Sequence, residues 1–286
     1  MAVFFKRRGE VPSLLPKAGK ALNEYTWEEI SKVSASGLAS EYWSVGDCKE
    51  IVLNGTIGTL AVSNFRVCVF ILGFDHNGAG GSIDFGTFKS AVSNGVDMCL
   101  IDSAYAATST GGSKVFNMNH RTTANSGGWK GSDIRFSVLG STNVQGEDAT
   151  ESCTTNPVSG TLMAALPADL RSVMKPMTIY TNNTGQTTGS AAITASIDYL
   201  PLLSEFEIFG TIKNANSYEK NYQARYQYYK NGASATKYRH TELTNSAGWW
   251  GRSPRASSSQ QFCYSSGSSV YDSASISKGL APIFRV

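Results

Sequence analysis

The sequence predicts a loop-rich, largely β fold that carries a few short helices. Three observations point there. Only 16% of the 286 residues are Asp, Glu, Lys or Arg, whereas helical bundles and coiled coils need charge along their exposed faces. Glycine occurs 28 times, and Ser, Thr and Asn fill the segments between apolar runs. Those runs are short and rich in Val, Ile and Phe, as strands bounded by turns are.

Residues 1–24 are expected to form an arm, with mixed charge, Pro12, Pro16 and no sustained period, ahead of a single body over 25–286 with a sub-boundary near 155–176. Thr26 followed by Glu29 has capping-box spacing and predicts a short helix that Gly37 stops. Lys49–Leu53 and Leu60–Leu72 read as strands, the second broken near Asn64. Gly78–Ser82 is a loop, and Ile83–Phe88 alternates apolar with polar. Residues 103–155 are expected to be long loops with one short helix near Ser132–Leu139. Leu162–Met174 predicts one or two helices interrupted at Pro167. Met177–Tyr180 and Ala191–Ile197 read as strands joined through the turn Asn182–Gly185. Tyr199–Phe209 is apolar enough to be core, with Glu205 and Glu207 on one face of a strand and Phe206 and Ile208 on the other. Tyr222–Tyr229 carries four tyrosines, and Gly248–Val286 reads as turns and short strands.

The net charge of +3 is unevenly placed: Lys6, Arg7, Arg8, Lys17 and Lys20 against Glu10 put +4 in the first twenty residues, so the rest sums to −1. A near-neutral body offers no electrostatic footprint for nucleic acid, and the basic segment reads as a solvated or partner-docking arm. No apolar run approaches the ~20 residues that span a bilayer, so no membrane insertion is expected. Met1–Arg8 is too short for a secretory leader. Five scattered cysteines, without a CxxC pair, suggest neither a disulfide scaffold nor a zinc site, and a chain left reduced in a cytoplasm is expected.

No enzyme signature stands out. A GxSxG elbow is absent, the glycines at 78–81 and 111–112 lack a phosphate-loop frame, and His76, His120 and His240 lie far apart. Asp75, His76 and Asn77 form the best metal-like cluster, but Asp and Asn at a strand end favour a turn. Carboxylate pairs such as Glu147/Asp148 and Glu205/Glu207 mean little alone. No catalytic residue, cofactor or metal is therefore expected.

One echo occurs within the chain. Gly128-Trp-Lys-Gly-Ser-Asp-Ile-Arg resembles Gly248-Trp-Trp-Gly-Arg-Ser-Pro-Arg. Each sets a Trp after a Gly and an Arg a few residues on, and buried turn anchors are the favoured reading. Between Ala256 and Gly279, ten of 24 residues are Ser, joined by Tyr264, Tyr271, Asp272, Gln260 and Gln261. Tyr gives rigid contact area and Ser adaptable hydrogen bonds, which is the chemistry of recognition loops. An ordinary set of wet hairpins fits the same composition.

The motif Trp249-Trp-Gly-Arg-Ser-Pro-Arg, then Phe262-Cys-Tyr, then Lys278-Gly-Leu-Ala-Pro-Ile-Phe-Arg-Val, resembles a family of uncharacterised domains in gut Firmicutes and their prophages. Gly251 stands where that family's Trp-Trp-Leu-Arg-Ser-Pro motif has Leu. Tyr42–Lys49, Val69–His76 and Leu202–Gly210 are also similar, so the likeness spans about residues 26–286. More loosely, the ending resembles C-type-lectin-like domains, including tropism proteins varied by diversity-generating retroelements. These likenesses imply an α+β, C-type-lectin-like domain with short antiparallel strands, few helices and long ordered loops. Trp249, Trp250, Arg252, Arg255 and Phe284 would form the structural frame. Ligand contacts would come from Ser257, Ser258, Ser259, Gln260, Gln261, Tyr264, Ser265, Ser266, Ser269, Tyr271, Asp272, Ser273 and Ser275.

The implied function is that of a virion surface protein (head fibre, capsid decoration or tail adhesin) assembled in the bacterial cytoplasm. Its arm would dock on other virion proteins, the protein would form a homo-oligomer (a trimer), and the Ser/Tyr face would bind a host-surface or mucosal glycan or protein. A purely structural decoration protein is the alternative. Formylglycine-generating oxidases share the lectin-like fold but need paired cysteines near the C-terminus, where only Cys263 lies.

Overall fold

The computed structural model describes residues 15–92, 95–102, 116–119 and 124–286. The charged start of the expected arm, His120 and the glycines at 111–112 lie outside the described residues. The chain is mixed α+β, with many antiparallel strands and few helices. In chain order the strands are β1 (Cys48–Ile57), β2 (Leu60–Phe74), β3 (Ile83–Ser90), β4 (Met98–Cys99), β5 (Met177–Asn182), β6 (Ile193–Asp198), β7 (Lys237–Arg239), β8 (Glu242–Ala247), β9 (Trp249–Pro254), β10 (Gln261–Ser265), β11 (Ser269–Ser273) and β12 (Ile283–Arg285).

The first long helix, Trp27–Ala35, starts as its sequence requires. Thr26 Oγ1 accepts from the Glu29 backbone N–H at 3.2 Å, and Glu29 Oε2 accepts from the Thr26 N–H at 2.8 Å. Gly37, at φ +75°, ends the turn. The helix buries Trp27, Ile30 and Val33 against an antiparallel sheet of order β1-β2-β3-β12. The Trp27 ring meets Phe85 edge-on at 5.5 Å, and Phe85 stacks on Phe284 of β12 at 5.1 Å. Gly86 lets β3 pass beneath Phe70, since a Cβ there would lie 2.7 Å from a Phe70 ring atom. The break near Asn64 is real: Asn64 has φ +48° and donates its N–H to Asn54 Oδ1 at 2.8 Å, beside a register shift between Leu53 and Gly55.

Residues 16–24 lie against this body. The Tyr25 and Tyr42 hydroxyls donate to the Lys17 and Pro16 carbonyls, at 2.7 and 2.8 Å, and Leu22 is buried. Pro167 separates two single-turn helices, Leu162–Ala165 and Ala168–Arg171. A π-helical turn spans Ile134–Val138.

Three smaller sheets complete the structure: β5-β6, β4-β7-β8 and β9-β10-β11, the last a meander with β10 in the middle. Antiparallel bridges join Leu100 to Leu280 and Lys175 to Arg285, and one contiguous apolar cluster runs from Leu22 to Val286.

One expectation is corrected. Glu205–Phe209 is a helical turn rather than a strand, and both of its carboxylates are buried. Ser204 caps it by accepting from the Glu207 N–H at 3.1 Å, while Glu207 Oε2 accepts from the Ser204 N–H at 2.9 Å. Gly210 at φ +71° closes it. Backbone N–H groups at the start of a helix attract carboxylates, and this outweighs the local strand-like alternation.

Candidate functional site: the C-terminal hairpin and its frame

Four of the five frame residues are buried. Trp249 and Trp250 have no exposed surface and donate their indole N–H groups to the Ala235 and Phe116 carbonyls, at 2.9 and 2.8 Å. Arg252 makes a two-pronged pair with Glu207, Nη1–Oε2 at 2.6 Å and Nη2–Oε1 at 2.8 Å, and its Nε donates to Thr181 Oγ1 at 2.9 Å. Burial by itself would raise the Glu207 pKa, but the guanidinium outweighs it and holds the carboxyl below its ordinary value. Phe284 is fully buried in β12, whereas Arg255 is half-buried with its guanidinium carbon 3.3 Å from the centre of the Tyr271 ring.

The internal echo has a structural counterpart. Trp129 is fully buried and donates to Asp198 Oδ2 at 3.3 Å, and Arg135 Nε donates to Asp198 Oδ1 at 2.6 Å. Arg135 and Arg252 thus clamp Asp198 and Glu207, the carboxylates that flank the apolar stretch from Tyr199 to Phe206.

The Gly251 position explains itself locally. A Cβ there would lie 3.0 Å from the Leu203 carbonyl oxygen, so the glycine admits a close backbone approach, and the Arg252 N–H donates to that same carbonyl at 2.9 Å.

The thirteen expected contact residues divide by burial. Ser257, Ser259, Gln260, Ser266 and Tyr271 are exposed, and Tyr271 keeps 40% of its surface. Ser258, Gln261, Tyr264, Ser269, Asp272, Ser273 and Ser275 are half-buried. Ser265 is buried, its hydroxyl donating to the Ala235 carbonyl at 3.0 Å. Tyr264 packs edge-on to Trp250 at 6.0 Å with the Lys278 ammonium 4.3 Å above its ring. The Ser269 hydroxyl donates to Glu205 Oε1 and accepts from Asn214 Nδ2 at 2.8 Å. Asp272 pairs with Lys278 at 2.7 Å.

The exposed serines therefore sit at opposite ends of the hairpin. Ser257 and Ser259 lie in the β9–β10 turn and Ser266 in the β10–β11 turn, separated by the five-residue strand β10. Tyr271, on the edge strand β11, lies between the two ends, opposite Cys263 in the middle of β10. The Asn125 side chain and backbone hold the first turn, donating to the carbonyls of Ser258, Gln261 and Ser259 at 2.7–2.8 Å.

Two more buried carboxylates brace the hairpin from behind. Glu205 accepts from the backbone N–H groups of Lys213, Asn214 and Ala215 at 2.7–3.1 Å as well as from Ser269. Glu219 accepts from Ser253 Oγ at 2.6 Å and the Asn182 N–H at 3.1 Å, and burial pushes its pKa up to about 7. Sequence reasoning missed Glu219; no local pattern marks it.

Among the described residues no three His, Cys, Asp or Glu side chains gather as a metal-binding group. Asp75 Oδ1 accepts from the Ser82 N–H, Asn77 Oδ1 accepts from the Ala224 N–H, and the His76 ring lies on Tyr226, so the metal-like cluster is a turn. All five cysteines are free. Among the described residues no helix is long and apolar enough to cross a membrane.

Residues 98–286 match the family model described as "Domain of unknown function (DUF6273)". The chain belongs to this family. The DUF6273 match starts at β4 and takes in the hairpin, its frame and β12, but not β1–β3, to which β12 is paired. Neither the curated proteins nor the solved structures contain a match to the chain.

Proposed function

We propose that this DUF6273 protein is a phage or prophage virion surface protein, a head fibre, decoration protein or tail adhesin, whose C-terminal hairpin binds a host-surface or mucosal glycan or protein. One observation carries the reading: a wholly buried frame of Trp249, Trp250, Arg252 and Phe284 holds an edge hairpin whose exposed side chains are Ser, Gln and Tyr. Such a frame tolerates change at Ser257, Ser259, Gln260, Ser266 and Tyr271 without loss of fold. Binding would be non-covalent, without catalysis or a cofactor. The basic N-terminal arm would dock on virion proteins, and the assembled state would be a homo-oligomer, a trimer. The mixed α+β architecture with its closing strand β12 is compatible with a C-type-lectin-like fold.

The second reading, a decoration protein with no ligand, gains from the internal commitment of Ser265, Ser269, Tyr264 and Asp272. Sequencing the DNA beside the gene separates the two. A near-copy of the coding end, differing mainly at adenines and lying beside a reverse transcriptase gene, supports a diversified binding face. Capsid or tail genes without such a copy favour fixed decoration. A neighbourhood with no phage genes overturns the virion reading.

A further inference from the structure

A separate cleft of about 390 Å³ opens where the Asp75–Gly78 turn, β5 and residues 222–226 meet. Its volume suits a small ligand. The carboxylate that lines it, Glu207, and Asp84, which bonds the lining residues Tyr226 and Arg285, are already engaged. Both Glu207 oxygens take Arg252, and the Asp84 oxygens take Arg285 Nε and Nη2, at 2.6 and 2.9 Å, and the Tyr226 hydroxyl at 2.8 Å. A cation entering here would find no free carboxylate and would meet Arg285.

Three features are left for a ligand. Arg285 Nη1 makes no hydrogen bond among the described residues, although the side chain is only 12% exposed. His76 is 8% exposed and stacks on Tyr226 at 3.6 Å, yet its Nε2 has no partner. An unpartnered buried nitrogen costs stability unless something satisfies it. Burial lowers its pKa, so the imidazole is neutral and can both donate and accept. Finally, Tyr222 is 45% exposed and held flat by stacking on Tyr180 at 4.7 Å, which presents an aromatic wall beside these polar groups.

A guanidinium edge asks for a carboxylate, a neutral imidazole for a hydroxyl, and an aromatic wall for a flat apolar face. A phosphate dianion fits less well, because among the described residues lining the cleft Arg285 is the sole cation, and its Nε and Nη2 are already held by Asp84 and the His76 carbonyl. We infer that this cleft binds an acidic pyranose unit of a glycan, a uronate or a sialate, with its carboxylate at Arg285, a ring hydroxyl at His76 and its apolar face on Tyr222. The site is distinct from the hairpin and does not rest on the virion reading.

Saturation-transfer NMR titrations on the full chain, with glucuronate and with N-acetylneuraminate, test this. At least one acid binds, and its methyl ester binds at least about tenfold more weakly, having lost the charge-assisted bond. Tyr222→Ala, at an exposed position, and His76→Phe, which keeps the stack but removes the nitrogens, each weaken binding about tenfold. Melting curves confirm that both variants fold. Tyr271→Ala leaves acid binding unchanged, so failure of the hairpin reading and failure of this one are distinguishable. Which acid binds identifies the sugar. The inference is overturned if neither acid binds, if an ester binds as well as its acid, if both variants bind like the parent, or if a peptide carboxylate such as acetyl-Tyr-Ala binds and the sugars do not.

Discussion

Arg252 grips both oxygens of Glu207, at 2.6 and 2.8 Å, with neither side chain open to solvent. The pair ties the first residue after Gly251 to the helical turn that begins at Ser204. Removing one member leaves the other charged and unpartnered in the interior, which costs about 3–5 kcal/mol. Arg252→Met is expected to lower the unfolding free energy by that amount in urea titrations. Replacing both, with Glu207→Leu added, is expected to recover a large part of it. A single variant as stable as the parent would contradict the role given to the pair.

Arg135 and Asp198 repeat the arrangement with Trp129 as third member. Asp198→Asn is expected to destabilise by roughly 3 kcal/mol, since it strands Arg135. Its effect should add to that of Arg252→Met within about 0.5 kcal/mol if the two clamps are independent. A coupling larger than about 1 kcal/mol would show that the stretch between Asp198 and Glu207 transmits strain.

Glu219 gives a pH dependence whose sign follows from its raised pKa. Burial lifts it from 4.5 to about 7 in the folded chain. Between those values the folded state holds a proton that the unfolded state releases, so stability falls as pH rises from 4.5 to 7 and levels off above. The loss is on the order of 3 kcal/mol. His76 and His240, whose pKa values burial lowers, act in the opposite sense, costing stability as pH drops below 6.5. Comparison with Glu219→Gln isolates the carboxyl: urea midpoints at pH 5 to 8 should fall more steeply in the parent. Parallel curves would rule the titration out.

Gly279 faces Cys99. A Cβ there would come within 2.3 Å of the Cys99 sulfur. Gly279→Ala is expected to cost about 1–3 kcal/mol through overpacking. Cys99→Ala in the same chain removes the sulfur but keeps the Cys99 Cβ, 2.9 Å from the new methyl, and is expected to return part of that loss relative to Cys99→Ala alone. Absence of rescue would mean that the Cys99 Cβ and the Gly248 carbonyl, at 3.2 Å, set the limit rather than the sulfur.

The exposed hairpin residues should behave differently. Ser257→Ala, Ser259→Ala and Tyr271→Ala together are expected to change stability by less than about 1 kcal/mol while abolishing adhesion of the labelled protein to its host cells. Adhesion that survives the triple variant would remove the hairpin from the binding surface.

Much of the fold could be read from local chemistry. The capping box at Thr26 and the break at Pro167 each depend on neighbours within a few residues, and the break at Asn64 on Asn54, ten residues back across the β1–β2 hairpin. The helical turn at Glu205 was legible too, because Ser204 and Glu207 carry the same spacing as Thr26 and Glu29. The alternation of Glu205, Phe206, Glu207 and Ile208 argued for a strand and was misleading, since the alternating carboxylates are satisfied inside the protein. Burial within the Ser/Tyr stretch was illegible: Ser265 and Ser257 are the same residue in similar surroundings along the chain. Only tertiary partners, Ala235 for one and solvent for the other, tell them apart. The cleft residues His76, Tyr222 and Arg285 come from three distant segments, so no motif could have announced them.

The sheet that β1 begins is completed by β12, whose Phe284 pairs with Phe85 some two hundred residues upstream. During synthesis β3 therefore waits with one edge open until residues 283–285 have left the ribosome. An unpaired strand edge is a template for wrong partners, and contacts so distant in sequence form slowly. The nascent chain is thus exposed to misassembly until β12 has emerged, and shielding by a chaperone would matter most in that interval.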